Sequence, residues 1–255
     1  MSPGRHARPT RRGRWLGVAA AVFTTVVLAL AFQAQHDDPD TTPPPQAPDR
    51  AGSGDPPASP EVPTGPAGEV VLSGEDVSWQ RLCGIELPVS TRHGPHDRGG
   101  LRAVGFARGP TGAVLAGLHL AVRVSPQLGP SVFVPTLAEQ VTGPDAAVFT
   151  QLVHVQYQQL QQAAHTGYGR PVCPIYGRFT GYLLDSHTAT AASLRLLIEA
   201  PGPGGGPQLA SVLVQLSWLD GDWRLVAPPR GDWARVRTLL PASAAAGYHP
   251  LPAGR

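Results

Sequence analysis

The sequence predicts an α+β domain in which helices come first and three or four antiparallel strands follow and pack one face against them. Three observations predict it. Between Pro110 and Ala164 apolar residues recur at three- and four-residue intervals, the spacing of helices that bury one face. After Pro171 the period falls toward two, and Val212, Val214, Leu216 and Trp218 share one face of an extended run. Asp220-Gly221 then stands between two such runs, where it signals a two-residue hairpin.

The 255 residues divide by composition before any element is placed. Residues 1–14 form a basic tail read as cytoplasmic, with Arg at 5, 8, 11, 12 and 14. Trp15 to Phe32 are 18 uncharged, largely apolar positions. As a helix they extend about 27 Å, close to the hydrocarbon thickness of a bilayer. Arg on one side and Asp37, Asp38 and Asp40 on the other place the N-terminus in the cytoplasm and the rest outside. The expected location is thus the cell membrane, single-pass, with an extracytoplasmic C-terminal domain. A cleaved signal peptide is the competing reading, because Ala29-Leu30-Ala31 offers a small-x-small site. Residues 33–69 are Pro-rich and almost free of large apolar side chains. Burial there cannot repay ordering entropy, so the stretch reads as a disordered linker. The domain is expected over 70–240, and the Ala-, Gly- and Pro-rich 241–255 as a flexible tail.

All 20 basic residues are Arg. Beyond residue 14 there are 15 Arg against 18 Asp plus Glu, a net of −3. No generally basic surface results, so direct nucleic-acid binding is not expected.

Within the domain, Val77 to Leu82 is a short strand or a packed loop, and 88–100 is a loop. Pro110-Thr111-Gly112 opens a helix with Thr111 as N-cap, and Pro126 stops it. A second helix is expected over Thr136 to Val141. A third runs from Pro144 or Asp145 to about Ala164, with Val148, Leu152, Val155 and Gln159 advancing along one side and Phe149, Val153 and Leu160 widening its apolar face. Strands follow near Tyr176–Asp185, Ala192–Glu199, Leu209–Trp218 and Asp222–Val226.

Cys83 and Cys173 are the only cysteines. Outside the cytoplasm an even count of two permits one disulfide, with two unrelated buried thiols as the alternative. His93, His96 and Asp97 cluster in a Gly/Pro loop, but a metal needs at least a third ligand. His119, His154 and His165 serve only if folding brings them near. The His pair is read as solvated, and neither metal nor cofactor is expected. No serine lies in G-x-S-x-G, and Gly202 to Gly206 lacks the Lys-Ser/Thr that a phosphate loop requires. The chain is therefore not expected to be an enzyme. Trp218, Trp223 and Trp233, with Arg224 and Arg230, could form a binding face. Packing of the final strands is the plainer use for the same residues.

The order of anchor, stalk, helices and a sheet ending in Asp-Gly-Asp-Trp-Arg-Leu resembles the NTF2-like (cystatin-like) cone. Residues 105–117 (GFARGPTGAVLAG) and 217–233 (SWLDGDWRLVAPPRGDW) also resemble anchored proteins of actinobacterial integrative and conjugative elements, similar to the VirB8 and TcpC class. The resemblance covers roughly 75–235 and brings no catalytic residue. It implies a curved sheet. It also implies a non-catalytic, membrane-anchored component of a cell-envelope assembly, such as a conjugative transfer channel, working with protein partners or as a homo-oligomer. The alternative is an extracytoplasmic small-molecule or cell-wall binding module. Fold alone does not fix such a role.

Overall fold

The computed structural model describes residues 70, 72–97, 101–203 and 205–251. The 1–14 tail, the Trp15–Phe32 anchor and the 33–69 linker lie outside the described residues. The first element is a hairpin of β1 (Val77–Leu82) and β2 (Ile85–Ser90). Cys83 and Gly84 form its turn, both at positive φ, which matches the natural twist of two paired strands.

Helix α1 (Pro110–Arg123) is the centre of the fold. It starts on Pro110 with Gly109 as N-cap, not on Thr111, which is buried in the first turn. Proline suits that position because its missing N–H would be unpaired there in any case. Twelve of the helix's 14 residues are buried, as expected of a helix that is apolar nearly all round. It touches four strands of the main sheet, and also β2 and the second helix. A Cβ on Gly117 would lie 2.8 Å from Leu194 Cδ1, so glycine sets how closely helix and sheet approach.

Helix α2 (Pro130–Gln140) is longer than the expected Thr136–Val141. Pro135 lies inside it, and Val141 has already turned into strand β3 (Val141–Thr142). Helix α3 (Ala146–Ala164) buries Phe149, Val153, Tyr157 and Leu160, and ends on His165 in the left-handed conformation. Val148 and Val155 are on its open side, 44% and 47% exposed. The core-facing row is therefore the aromatic one, not the 148/152/155 row.

The main sheet comprises β4 (Arg178–His187), β5 (Ala191–Pro201), β6 (Pro207–Leu219), β7 (Asp222–Val226), β8 (Arg237–Leu240) and β9 (His249–Pro250), together with β3. The strand order is β3-β7-β6-β5-β4-β9, with β8 also pairing β6. All pairings are antiparallel except β3 with β7. Ala192, Leu194, Leu196, Val214 and Leu216 are buried on the face that meets α1. Strand β6 is 13 residues long and receives β8 at one end and β7 at the other.

This topology corrects two expectations. The sheet has seven strands and is mixed, where three or four antiparallel strands were expected. It is also not the NTF2-like cone, because the sheet is neither closed nor curled. Its two ends, β3 and β9, are separate edges, whereas a cone needs a sheet that wraps around its helix. The hairpin and the helical periods are local signals. They do not report that the segment after α2 adds a parallel edge or that the C-terminal segment adds strands.

Cys83 and Cys173 are disulfide-bonded, with Cα atoms 5.1 Å apart. The bond ties the β1–β2 turn to the segment before β4, and Ile175 N–H donates to Cys83 O at 2.7 Å beside it. Within the stretch read as a tail, Ala242–Gly247 forms a 3₁₀ helix and His249–Pro250 pairs with β4. Tyr248 Oη donates to Ser211 Oγ at 2.7 Å. Among the described residues no helix is long and apolar enough to cross a membrane. The expected single-pass placement rests on residues outside that set and is not carried further.

Candidate functional site

A pocket of about 430 Å³ opens between the 101–107 loop, the end of α2 and the β6–β7 hairpin. Each wall has a local cause. Asp220 and Gly221 both have positive φ, the tight hairpin turn that Asp-Gly favours, and this sets Asp222 and Arg224 at the start of β7. Strand β3 continues directly from α2 and pairs Val141 with Leu225 and Thr142 with Val226. That short parallel pairing fixes Glu139 and Gln140 beside Arg224.

Five hydrogen bonds build the loop wall, four of them to the loop itself. Asp222 Oδ2 accepts from Gly105 N–H at 2.8 Å, and Oδ1 accepts from Phe106 N–H at 3.1 Å and from Trp223 N–H at 2.9 Å. Trp223 Nε1–H donates to Ala107 O at 2.9 Å. Gln140 Nε2–H donates to Ala103 O at 2.6 Å. Hydrogen bonds to a carboxylate are the stronger class, so Asp222 is the main clasp.

Both arginines of the pocket are paired, and the third carboxylate, Asp222, is held by backbone N–H groups. Arg102 pairs with Glu139, Arg224 Nη2 pairs with Asp220 at 2.8 Å, and Arg224 Nη1 donates to Glu139 O. Two buried atoms in the lining have no hydrogen-bond partner: Gln140 Oε1, an acceptor, and Arg224 Nε, a donor. Gln140 is 4% exposed. Its amide orientation is fixed, because only the NH₂ end can donate to Ala103 O.

A second buried polar group lies in α1. Arg123 Nη1 donates to His119 Nδ1 at 2.9 Å, so His119 Nε2 carries the hydrogen and donates to Pro88 O at 2.8 Å. Burial pushes the Arg123 guanidinium down to about 10, which leaves it charged at neutral pH. The pair joins α1 to β2 and sits inside the core, with His119 fully buried and Arg123 2% exposed.

The residues named from sequence are distributed as follows. Trp218 and Trp223 pack edge to face at 5.2 Å, and Arg108 lies 5.4 Å over Trp218. Trp223 is fully buried. Trp233 packs elsewhere, edge to face against Phe149. Arg230 is exposed at positive φ in the turn after β7. Arg224 alone of the five has its guanidinium in the pocket's polar network. Sequence reasoning missed Arg102 and Gln140, and took Asp222 only as a strand residue. The Asp-Gly-Asp-Trp run was the one local signal that led there. His96 Nε2 hydrogen-bonds Thr91 O at 3.2 Å, and Asp97 pairs with Val104 through the backbone. No group of three metal-ligating side chains occurs among the described residues.

Fold and site together define a disulfide-stapled α+β domain with a polar pocket whose charged groups are all engaged within the protein. The chain belongs to the family described as a domain of unknown function, DUF8175, whose match spans residues 34–250. No curated protein and no solved structure matches it. The expected role as a membrane-anchored component of a cell-envelope assembly, with its conjugative channel, is corrected here. It drew on the cone resemblance, which the open sheet overturns, and the matching family names no channel. The alternative as an extracytoplasmic small-molecule or cell-wall module drew on the cone's pocket and falls with it.

Proposed function

We propose that this is a non-catalytic recognition domain for another polypeptide, with the pocket beside Gln140 and Arg224 as its point of contact. The observation that carries this reading is the pair of unpartnered buried atoms, Gln140 Oε1 and Arg224 Nε, in a pocket whose charged groups are otherwise engaged. Buried polar groups are normally paired, and a ligand is one partner that would satisfy the exception. Concave sites with few convergent polar groups are the usual form of a binding site. Catalysis finds less support. The lining holds no Ser, Cys or His, and its carboxylates are spent on an arginine or on backbone N–H groups, whereas a reactive site needs groups free to move protons or attack.

The test is a photo-crosslinking amino acid at Ala138, an exposed residue of the pocket wall. In the cells that express the protein, the expected result is a discrete adduct with a polypeptide that disappears when Gln140→Leu is added. The same probe at Leu239 serves as a control, because β8 pairs with the opposite end of β6 from the hairpin. The reading is refuted if no polypeptide adduct forms at 138, or if the adduct is indifferent to Gln140→Leu.

A further inference from the structure

We propose that the pocket recognises an uncharged carboxamide, specifically the backbone of one extended residue of the bound polypeptide. This rests on the recognition reading above and adds the chemistry of its ligand. The structure leaves one acceptor, Gln140 Oε1, and one donor, Arg224 Nε, without partners. Their complement is one N–H and one C=O, the two groups that a single peptide residue carries. In an extended chain the N–H and C=O of a single residue point to the same side, as in each hydrogen-bonded pair of an antiparallel ladder. Such a residue donates to Gln140 Oε1 and accepts from Arg224 Nε.

Charged ligands fit poorly. An anion would meet Glu139, Asp220 and Asp222, while a cation would meet Arg102 and Arg224, and each of these groups is already engaged. The exposed pairs must part for any ligand, so the discrimination lies in hydrogen bonding: a carboxylate offers only acceptors and an ammonium only donors, whereas the two buried atoms need one of each. The two unpartnered atoms are shielded from water, so admission requires the lining side chains to part. The groups that do so are the exposed ones. Arg102 and Glu139 are 38% and 54% exposed, and Asp220 is 82% exposed. Ion pairs this exposed hold weakly, at about 0–1 kcal/mol. The Asp222 clasp and the Gln140–Ala103 bond stay in place, so the acceptor keeps its orientation while the rim opens.

The experiment is a titration of ¹⁵N-labelled full-length protein, followed by the Arg Nε–H and Gln side-chain amide resonances. The probe is N-acetylalanine N-methylamide, which is one extended residue with blocked ends. Parallel arms use acetamide for a free or side-chain carboxamide, acetate for an anion and glucose for hydroxyls. The expected result is a saturable shift of the Arg224 Nε–H and Gln140 amide signals with the blocked alanine, at a Kd in the millimolar range. Gln140→Leu and, independently, Arg224→Lys should each weaken binding at least about tenfold, as loss of one buried hydrogen bond implies. Arg224→Lys keeps the charge and serves if Gln140→Leu unfolds. Acetamide binding as tight as the blocked alanine, or saturation by acetate or glucose alone, overturns the proposal. If the blocked alanine fails while the probe at Ala138 still captures a polypeptide in a Gln140-dependent way, the carboxamide assignment falls and the recognition reading stands. If both fail, both fall.

Discussion

Replacing Asp222 should unfasten the pocket and cost more stability than any other single polar change in the hairpin. Its carboxylate accepts from the backbone N–H groups of Gly105, Phe106 and Trp223 at 2.8, 3.1 and 2.9 Å. The last is local and readily replaced by water. The first two hold the 101–107 loop against the strand, in partly buried positions. A hydrogen bond to a charged group contributes about 1.5–3 kcal/mol, with the smaller figure apt where water has access. Asp222→Ala should therefore destabilise by about 3 kcal/mol. Asp222→Asn should lose about half of that, because it keeps one acceptor oxygen and turns an NH₂ toward the other N–H. Against a typical total of about 5–15 kcal/mol, the Ala variant remains folded but measurably weaker. The assay is urea unfolding followed by tryptophan fluorescence, since the fully buried Trp223 donates to Ala107 in the same loop. The control is Asp220→Ala, two residues away. Its carboxylate is 82% exposed and pairs only with Arg224, so it should change stability by no more than about 0.5 kcal/mol. Equal effects of the two substitutions, or an Asp222→Ala effect below about 1 kcal/mol, would refute the clasp.

Removing the disulfide with paired Cys83→Ala and Cys173→Ala substitutions opens a 90-residue loop. On the chain-entropy model this lowers stability by about 4–5 kcal/mol, and an unchanged urea midpoint would contradict the staple's role. Gly231 has φ +69°, and a Cβ there would lie 2.7 Å from both Phe149 N and Phe149 Cα. Gly231→Ala should thus cost at least about 2 kcal/mol by thermal unfolding. Gly167→Ala, with open space around it, should cost little, and similar losses at both sites would remove the close-approach explanation. The Ser90 hydroxyl donates to Asp76 at 2.8 Å and holds that carboxyl below its ordinary value. A lowered folded-state value means that the stabilisation is present above the unfolded carboxylate pKa of about 3.8 and is lost as pH falls through the folded value. Ser90→Ala should raise the Asp76 titration midpoint measured by NMR, and an unmoved midpoint would assign the shift to another cause.

Local signals in the chain were legible and long-range ones were not. The Asp220-Gly221 turn, the β5–β6 pair and the α3 segment follow from composition and period, because hairpins and helices form between neighbours in sequence. Helix α1 was placed by its spacing, yet its depth was not, since nearly every face is apolar and period cannot say how many neighbours cover it. The cone was inferred from element order and one hairpin motif. Whether a sheet closes depends on its edge strands, and here both edges are two-residue strands, Val141–Thr142 and His249–Pro250, too short to leave a period. The pocket was invisible for a related reason. Arg102, Gln140 and Asp222 are far apart in sequence, and they meet only because β3 pairs with β7 and Asp222 captures the loop.

Two buried polar sites in one small domain perform different physical tasks, and the difference lies in where their unpaired atoms point. His119 and Arg123 lie inside α1 and are linked in series to Pro88 O, so the pair joins the central helix to the β1–β2 hairpin. Arg123 Nε is left over there, but a guanidinium has five donors and this one is 2% exposed in the core. At the pocket the spare atoms belong to two different elements, the end of α2 and strand β7, and they supply opposite hydrogen-bonding roles beneath an exposed rim of ion pairs. A structural network has no reason to leave a complementary donor and acceptor unused in one lining. Gln140 is held by its bond to Ala103, and Arg224 by its bond to the backbone Glu139 O, which stays when the rim opens. The fold thus holds both spare atoms in a fixed orientation, which is the preorganisation that lowers the entropic cost of binding.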